Sequence, residues 1–233
     1  MRVMLLMLTS VGFIVAASAA FGLYLLDGAR RHREPLWASI ICMLIGVGAA
    51  TLAGVINSAV LPNDIYAAPL LTSAVQVGLV PATVEELAKI IPLMIFITVQ
   101  SFFRDIADGV IFFAFSGLAF GVYENIDYAM RFGPAVGVSR LVSLLFFHAA
   151  TAGVFGYFFA KARRDQSWLT VVAVLGFMIF IHASYNFLLV LQLQYAGLRW
   201  VAGIIPLAMT GWLAWTLRRA QQLDRQARGT RSQ

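Results

Sequence analysis

Long apolar runs, each about the 20 residues that a helix needs to cross a bilayer, alternate along this chain with short charged or proline-containing breaks. The first run covers residues 3–26 and ends at Asp27 and the basic cluster Arg30, Arg31 and Arg33. The second, about 36–60, is rich in small residues (Gly46, Gly48, Ala49, Ala50, Ala53, Gly54), the composition that close helix packing in lipid requires, and Pro62-Asn63-Asp64 turns the chain after it. Residues 66–80 are apolar but short and bracketed by Pro69 and Pro81, which predicts an interfacial or re-entrant segment feeding a span at 82–103. Further spans are predicted at about 107–129, 138–160, 167–193 and 199–217. Uninterrupted runs such as 168–193 lack the period-two alternation of a barrel strand, and only helices or closed barrels satisfy the backbone across lipid. The pattern predicts an all-α fold, a polytopic membrane helical bundle of about seven transmembrane helices, with residues 1–217 as one integral-membrane domain. Residues 218–233 read as a basic tail, expected to be disordered.

Composition agrees with that class. Of 233 residues 61% are hydrophobic and 12% charged, with a mean hydropathy of +0.83, against roughly 45–50% apolar and about 25% charged in soluble domains. The net charge is +6 and the isoelectric point 9.9, but the basic residues sit in short clusters at span ends, which points to topology and anionic lipid and not to nucleic acid. In the seven-span arrangement one side collects most of the 17 Lys and Arg, including Arg30, Arg31, Arg33, Arg104, Lys161, Arg163, Arg164 and the tail, whereas the other receives Arg2, Arg131, Arg140 and Arg199. The rich side is expected to be cytoplasmic, placing the N-terminus outside and the C-terminus inside. Ala17-Ser18-Ala19-Ala20 imitates a signal-peptide cleavage site, but the apolar run continues past it and the basic cluster follows instead of preceding. The single Cys42 sits between Ile41 and Met43 and reads as a packing residue.

The spans contain few strongly polar groups, and those few share a level. Glu85, Glu86 and Lys89 lie in one span, and on a helix Lys89 is i+4 to Glu85 and i+3 to Glu86, so it neutralises at most one carboxylate. Burying ionisable groups in hydrocarbon costs several kcal/mol, which makes function the default expectation. From the basic-side charges, a rise of 1.5 Å per residue puts Glu85 at roughly 28 Å, Glu124 at roughly 30 Å, His148 at roughly 20 Å and His182 at roughly 25 Å. All four fall in the outer half of the bilayer, a convergence that unrelated structural groups do not require. His182 and Asn186 are i,i+4 on one face, Asn125 follows Glu124, and Gly117, Gly121 and Glu124 share a face that lets a neighbouring backbone approach.

A glutamate in apolar surroundings beside a second carboxylate is a candidate general base for water, and imidazole and amide groups can stabilise the oxyanion of a tetrahedral intermediate. That set fits amide hydrolysis. Glu85, Glu86, His148 and His182 are also candidate metal ligands, leaving the cofactor as either none or Zn²⁺, although the compact His-Glu-x-x-His spacing is absent. Ser143, Ser184 and Cys42 have no adjacent base to make them nucleophiles. Other assignments for buried Glu and His are a non-catalytic membrane scaffold and a proton-coupled transporter; the lack of an inverted repeat weighs against the latter.

Glu85-Glu86-Leu87-Ala88-Lys89 resembles the Glu-Glu-x-x-Lys motif of the PrsW family of intramembrane proteases, Phe120 to Asn125 its Phe-x-x-x-Glu-Asn motif, and His148 and His182-x-x-x-Asn186 its two histidine motifs. The likeness spans about residues 20–190, and the wider superfamily includes CAAX prenyl endopeptidases and bacteriocin-processing proteins. The resemblance implies a bacterial plasma-membrane protease that cuts a membrane-anchored, anti-sigma-factor-like protein near the extracytoplasmic side. It implies catalytic roles for Glu85, Glu86, His148, His182 and Asn186, supported by Lys89, Glu124 and Asn125. In the first loop Gly28-Ala29 interrupt the family's usual Asp-Arg.

Overall fold

The computed structural model describes residues 35–133 and 146–231, together with residues 12, 16, 18–23, 25, 27, 136 and 140. The expected first span and the loop containing Gly28-Ala29 lie largely outside the described residues; within that span residues 18–23 and Leu25 are helical. The protein is an all-helical membrane bundle. Six long helices are described: α1 (Leu36–Val60), α2 (Leu70–Thr98), α3 (Ile106–Phe132), α4 (Phe147–Asp165), α5 (Trp168–Leu191) and α6 (Leu198–Arg231). Four of them, α1, α3, α5 and α6, are long and apolar enough to cross a membrane by length and composition.

The interfacial segment is shorter than the prolines suggested. Only Ile65–Ala67 forms a separate 3₁₀ turn, and from Leu70 the chain is already part of α2, which runs through both Pro81 and Pro92. A proline costs its helix one hydrogen bond, a loss that a packed membrane helix tolerates. The tail also departs from expectation, because α6 continues unbroken past Arg218. Its buried residues Leu213, Leu217, Ala220 and Asp224 are spaced i, i+4, i+7, i+11, the stripe of a helix packed along one face.

The centre of the bundle is α3, 89% of whose most apolar window is buried. It packs mainly against α4 and α1, and α2 packs mainly against α5; α1 touches both α2 and α3. Small residues set these distances. A Cβ on Gly109 would collide with the Gly156 carbonyl, one on Gly46 with the Ser116 carbonyl, and one on Gly117 with the carbonyl of His148. The half of the interior nearer Arg104 is aromatic, with Phe113, Phe155 and Phe159 at ring-centroid separations of 5.4 to 6.1 Å. α3 starts in a buried place because its first backbone donors are satisfied: Asp105 and Asp108 form a capping box, and the Asp224 carboxylate of α6 accepts from Ile106 N at 3.0 Å and Ala107 N at 2.9 Å. Gly133, at φ 92°, ends the helix.

Candidate active site

The polar residues of four helices meet where the α2/α5 pair faces the α3/α4 pair. From α2 come Glu85, Glu86 and Lys89, with Glu86 and Lys89 fully buried. Lys89 donates to Glu86 Oε1 at 2.7 Å, and the same oxygen lies 2.9 Å from His182 Nδ1 of α5 and 3.4 Å from Thr151 Oγ1 of α4. Lys89 also donates to Thr151 Oγ1 at 3.1 Å and faces His148 Nδ1 at 3.4 Å. The other nitrogen of His148 is 2.7 Å from Glu124 Oε2 of α3. The two imidazole rings are 5.2 Å apart, and the Phe147 ring stands edge-on to His182 at 5.2 Å.

These contacts orient both histidines. Lys89 has donors only, so His148 Nδ1 accepts and His148 Nε2–H donates to Glu124. Glu86, paired with Lys89, accepts from His182 Nδ1–H, and His182 Nε2 faces Glu85 Oε2 3.6 Å away. Lys89 therefore serves Glu86, and the two adjacent carboxylates differ sharply. Glu85 takes one hydrogen bond, from Asn57 Nδ2 of α1 at 3.2 Å, while its Oε2 is buried without a hydrogen-bond partner.

Two cavities open on this carboxylate. One, about 620 Å³, lies between α1 and α3 and is lined by Asn57, Glu85, Phe120, Glu124 and Tyr128 among others. The second, about 400 Å³, is lined by Val77, Pro81, Glu85, Glu124, Arg140 and Asn186. Glu85 and Glu124 are in the walls of both. Because Pro81 has no N–H, the Val77 carbonyl in this wall lacks its usual helical donor.

Of the residues singled out in the sequence, Glu85, Glu86, Lys89, Glu124, His148 and His182 form one continuous contact network. Asn186 stands one turn beyond His182 on the second cavity, and Asn125 contacts the network through Arg140. Pattern reasoning missed Asn57 and Thr151; Thr151 follows His148 by one helical turn, which was a usable signal. Arg140, counted in the sequence only among the charges of the Lys/Arg-poor side, is a largely buried member of the cluster. Its guanidinium bonds Glu124 Oε1 at 2.8 Å and Asn125 Oδ1 at 3.2 Å and stacks on the Tyr128 ring at 3.7 Å. An acidic group one helix away supplied a partner that sequence order concealed.

The description "PrsW family intramembrane metalloprotease" belongs to the family model that matches residues 34–215, most of the chain and every residue of the cluster. The chain belongs to this family. It is an intramembrane peptidase, and two relatives named Protease PrsW agree. The one from Geobacillus kaustophilus (strain HTA426) is 27% identical over 199 residues, covering 84% of this chain and 83% of its own. The one from Clostridioides difficile (strain 630) is 25% identical over 193 residues, covering 76% and 78%. No solved structure matches the chain.

A metal, implied by the word metalloprotease in the family description, fits the residues present. Glu85, His148 and His182 each offer a ligand atom within 4.8 Å of the others, an oxygen–nitrogen set suited to Zn²⁺. Glu85 Oε2 has no hydrogen bond to give up, and His182 Nε2 faces it at 3.6 Å. His148 would have to release either Glu124 or Lys89 to join them.

Proposed function

We propose that this PrsW-family peptidase cuts a membrane-anchored protein with water activated at Glu85. The observation that carries the reading is the asymmetry of the adjacent glutamates. Glu86 is occupied by Lys89, His182 and Thr151, whereas Glu85 lines both cavities and its Oε2 has no hydrogen-bond partner. In this reading Glu85 takes a proton from water as its oxygen attacks the scissile carbonyl, and returns it to the leaving amine as the C–N bond breaks. His182 Nε2 is the second acceptor at that water. Asn186 and Arg140, on the same cavity wall, are the donors aimed at the developing oxyanion. Glu86 is a positioning residue: its charge holds the His182 ring in the required tautomer. Glu124, tethered by Arg140, does the same for His148.

A metal-assisted version is favoured by the clustering of Glu85, His148 and His182. A divalent ion bound there would polarise the carbonyl and acidify water, with Glu86 and Glu124 as the outer carboxylates that orient its two histidines. The excess of basic residues at the Arg104 end supports a cytoplasmic location for that end and cleavage near the opposite, extracytoplasmic face of a bacterial plasma membrane. An anti-sigma-factor-like single-span protein is the proposed substrate class.

The test is co-expression with a single-span substrate. Glu85→Gln is expected to lower cleavage by at least about a hundredfold, within the 10²–10⁴ that a general base supplies, while inserting normally. Undiminished cleavage by that variant sinks the proposal. Metal content of the purified protein separates the two versions: stoichiometric zinc lost in His182→Ala supports the ion, and full activity of metal-free protein in chelator excludes it.

A further inference from the structure

At the opposite end of the bundle from the glutamates, a cavity of about 630 Å³ is enclosed by the start of α3, the end of α4 and the extension of α6. Its lining brings four guanidiniums, Arg104, Arg163, Arg164 and Arg228, together against two carboxylates, Asp105 and Asp224. Both carboxylates are engaged, Asp224 by the first backbone N–H groups of α3 and Asp105 by Arg228. Arg163 is held from two sides. Its Nη2 donates to the Thr98 carbonyl at 3.3 Å and its guanidinium lies 5.1 Å from the Phe103 ring centroid, while Nη1 is buried with no partner. A buried guanidinium donor without an acceptor is costly, and the four arginines of the lining outnumber its two carboxylates, with Arg164 also pairing Asp165 at 3.2 Å. Its floor is apolar, formed by Phe103, Ile106 and Ala160.

We propose that this cavity binds the phosphate of an anionic phospholipid, with the Arg163 guanidinium turning to bring its unpartnered Nη1 onto a phosphate oxygen, Arg104 and Arg164 at the rim, and the glycerol and upper acyl chain against the apolar floor. Arginine suits this task because its planar fork pairs two phosphate oxygens. The apolar floor and the position at the end of membrane-spanning helices select a lipid over free phosphate. The site lies among the loops that set where α2 ends and α3 begins, so its occupant braces both helices that carry the glutamates. It does not depend on the proteolytic reading.

The test uses the full-length protein in nanodiscs of phosphatidylcholine with or without phosphatidylglycerol, and a third arm of phosphatidylcholine with millimolar inorganic phosphate. Phosphatidylglycerol retained after detergent extraction is counted by native mass spectrometry, and the unfolding midpoint is measured in each disc. Phosphatidylglycerol is expected to be retained and to raise the midpoint. Arg163→Gln should retain about tenfold less, the equivalent of one charge-assisted hydrogen bond. Arg164→Gln, at the exposed rim where it cannot disturb folding, should show a smaller loss, and Arg219→Gln, exposed and outside the cavity, none. Equal retention by wild type and both cavity variants overturns the proposal, as does equal retention of phosphatidylcholine. A midpoint rise with inorganic phosphate matching that with phosphatidylglycerol overturns the lipid assignment.

Discussion

Replacing Lys89 by Met removes the cation that neutralises a fully buried carboxylate, and the double replacement with Glu86→Gln tests what that cation is for. Lys89 and Glu86 both have no exposed side-chain surface, and they meet at 2.7 Å. In Lys89→Met the Glu86 carboxylate keeps only His182 and the longer Thr151 contact. Breaking one partner of a buried pair costs about 3–5 kcal/mol, because the surviving charge is left in a medium that does not solvate it. Glu86→Gln should cost less, since Lys89 retains Thr151 and His148 as acceptors. With both changed no charge remains, and much of the lost stability should return, giving a coupling of about 2 kcal/mol or more in a double-mutant cycle. Reversible unfolding in mixed micelles measures it. Ordinary side-chain hydrogen bonds between membrane helices couple by only about 0.6 kcal/mol. A coupling that small would refute the claim that a buried ion pair organises the site. Cleavage should stay low in the rescued double variant, because Glu86→Gln removes the charge that orients His182.

Gly117→Leu should abolish cleavage and cost about 1–3 kcal/mol, since its side chain would press on the His148 carbonyl, whereas Gly48→Leu, with nothing near its Cβ, should leave thermal unfolding and cleavage unchanged. Asp224→Ala strips the acceptor from two donors of α3 and should lower stability by about 1–2 kcal/mol in the same unfolding assay. Its cleavage rate at a permissive temperature should remain near wild type, because Asp224 is at the far end of α3 from Glu124.

The fold class was legible in the sequence because lipid imposes it: backbone that cannot reach water must bond within a helix, so apolar run length gives the spans directly. Candidate site residues were legible for the same reason, since each charge in an apolar run stands out against its cost, and helix rise alone assigns it a depth. Pairing between helices was not legible. Nothing local says that α2 packs on α5 while α3 packs on α4, and without that Asn57, Thr151 and Arg140 look like ordinary polar residues in or beside spans. The same limit applied to the tail, which becomes helical to Arg231 because Asp224 finds the start of α3, a partner more than a hundred residues away. Most plainly, sequence left Lys89 two carboxylates at i−3 and i−4, choices that differ by only a few tenths of a kcal/mol on an isolated helix. The tertiary structure decides for Glu86, because His182 and Thr151 converge on the same oxygen from two other helices. That leaves Glu85 facing the cavities.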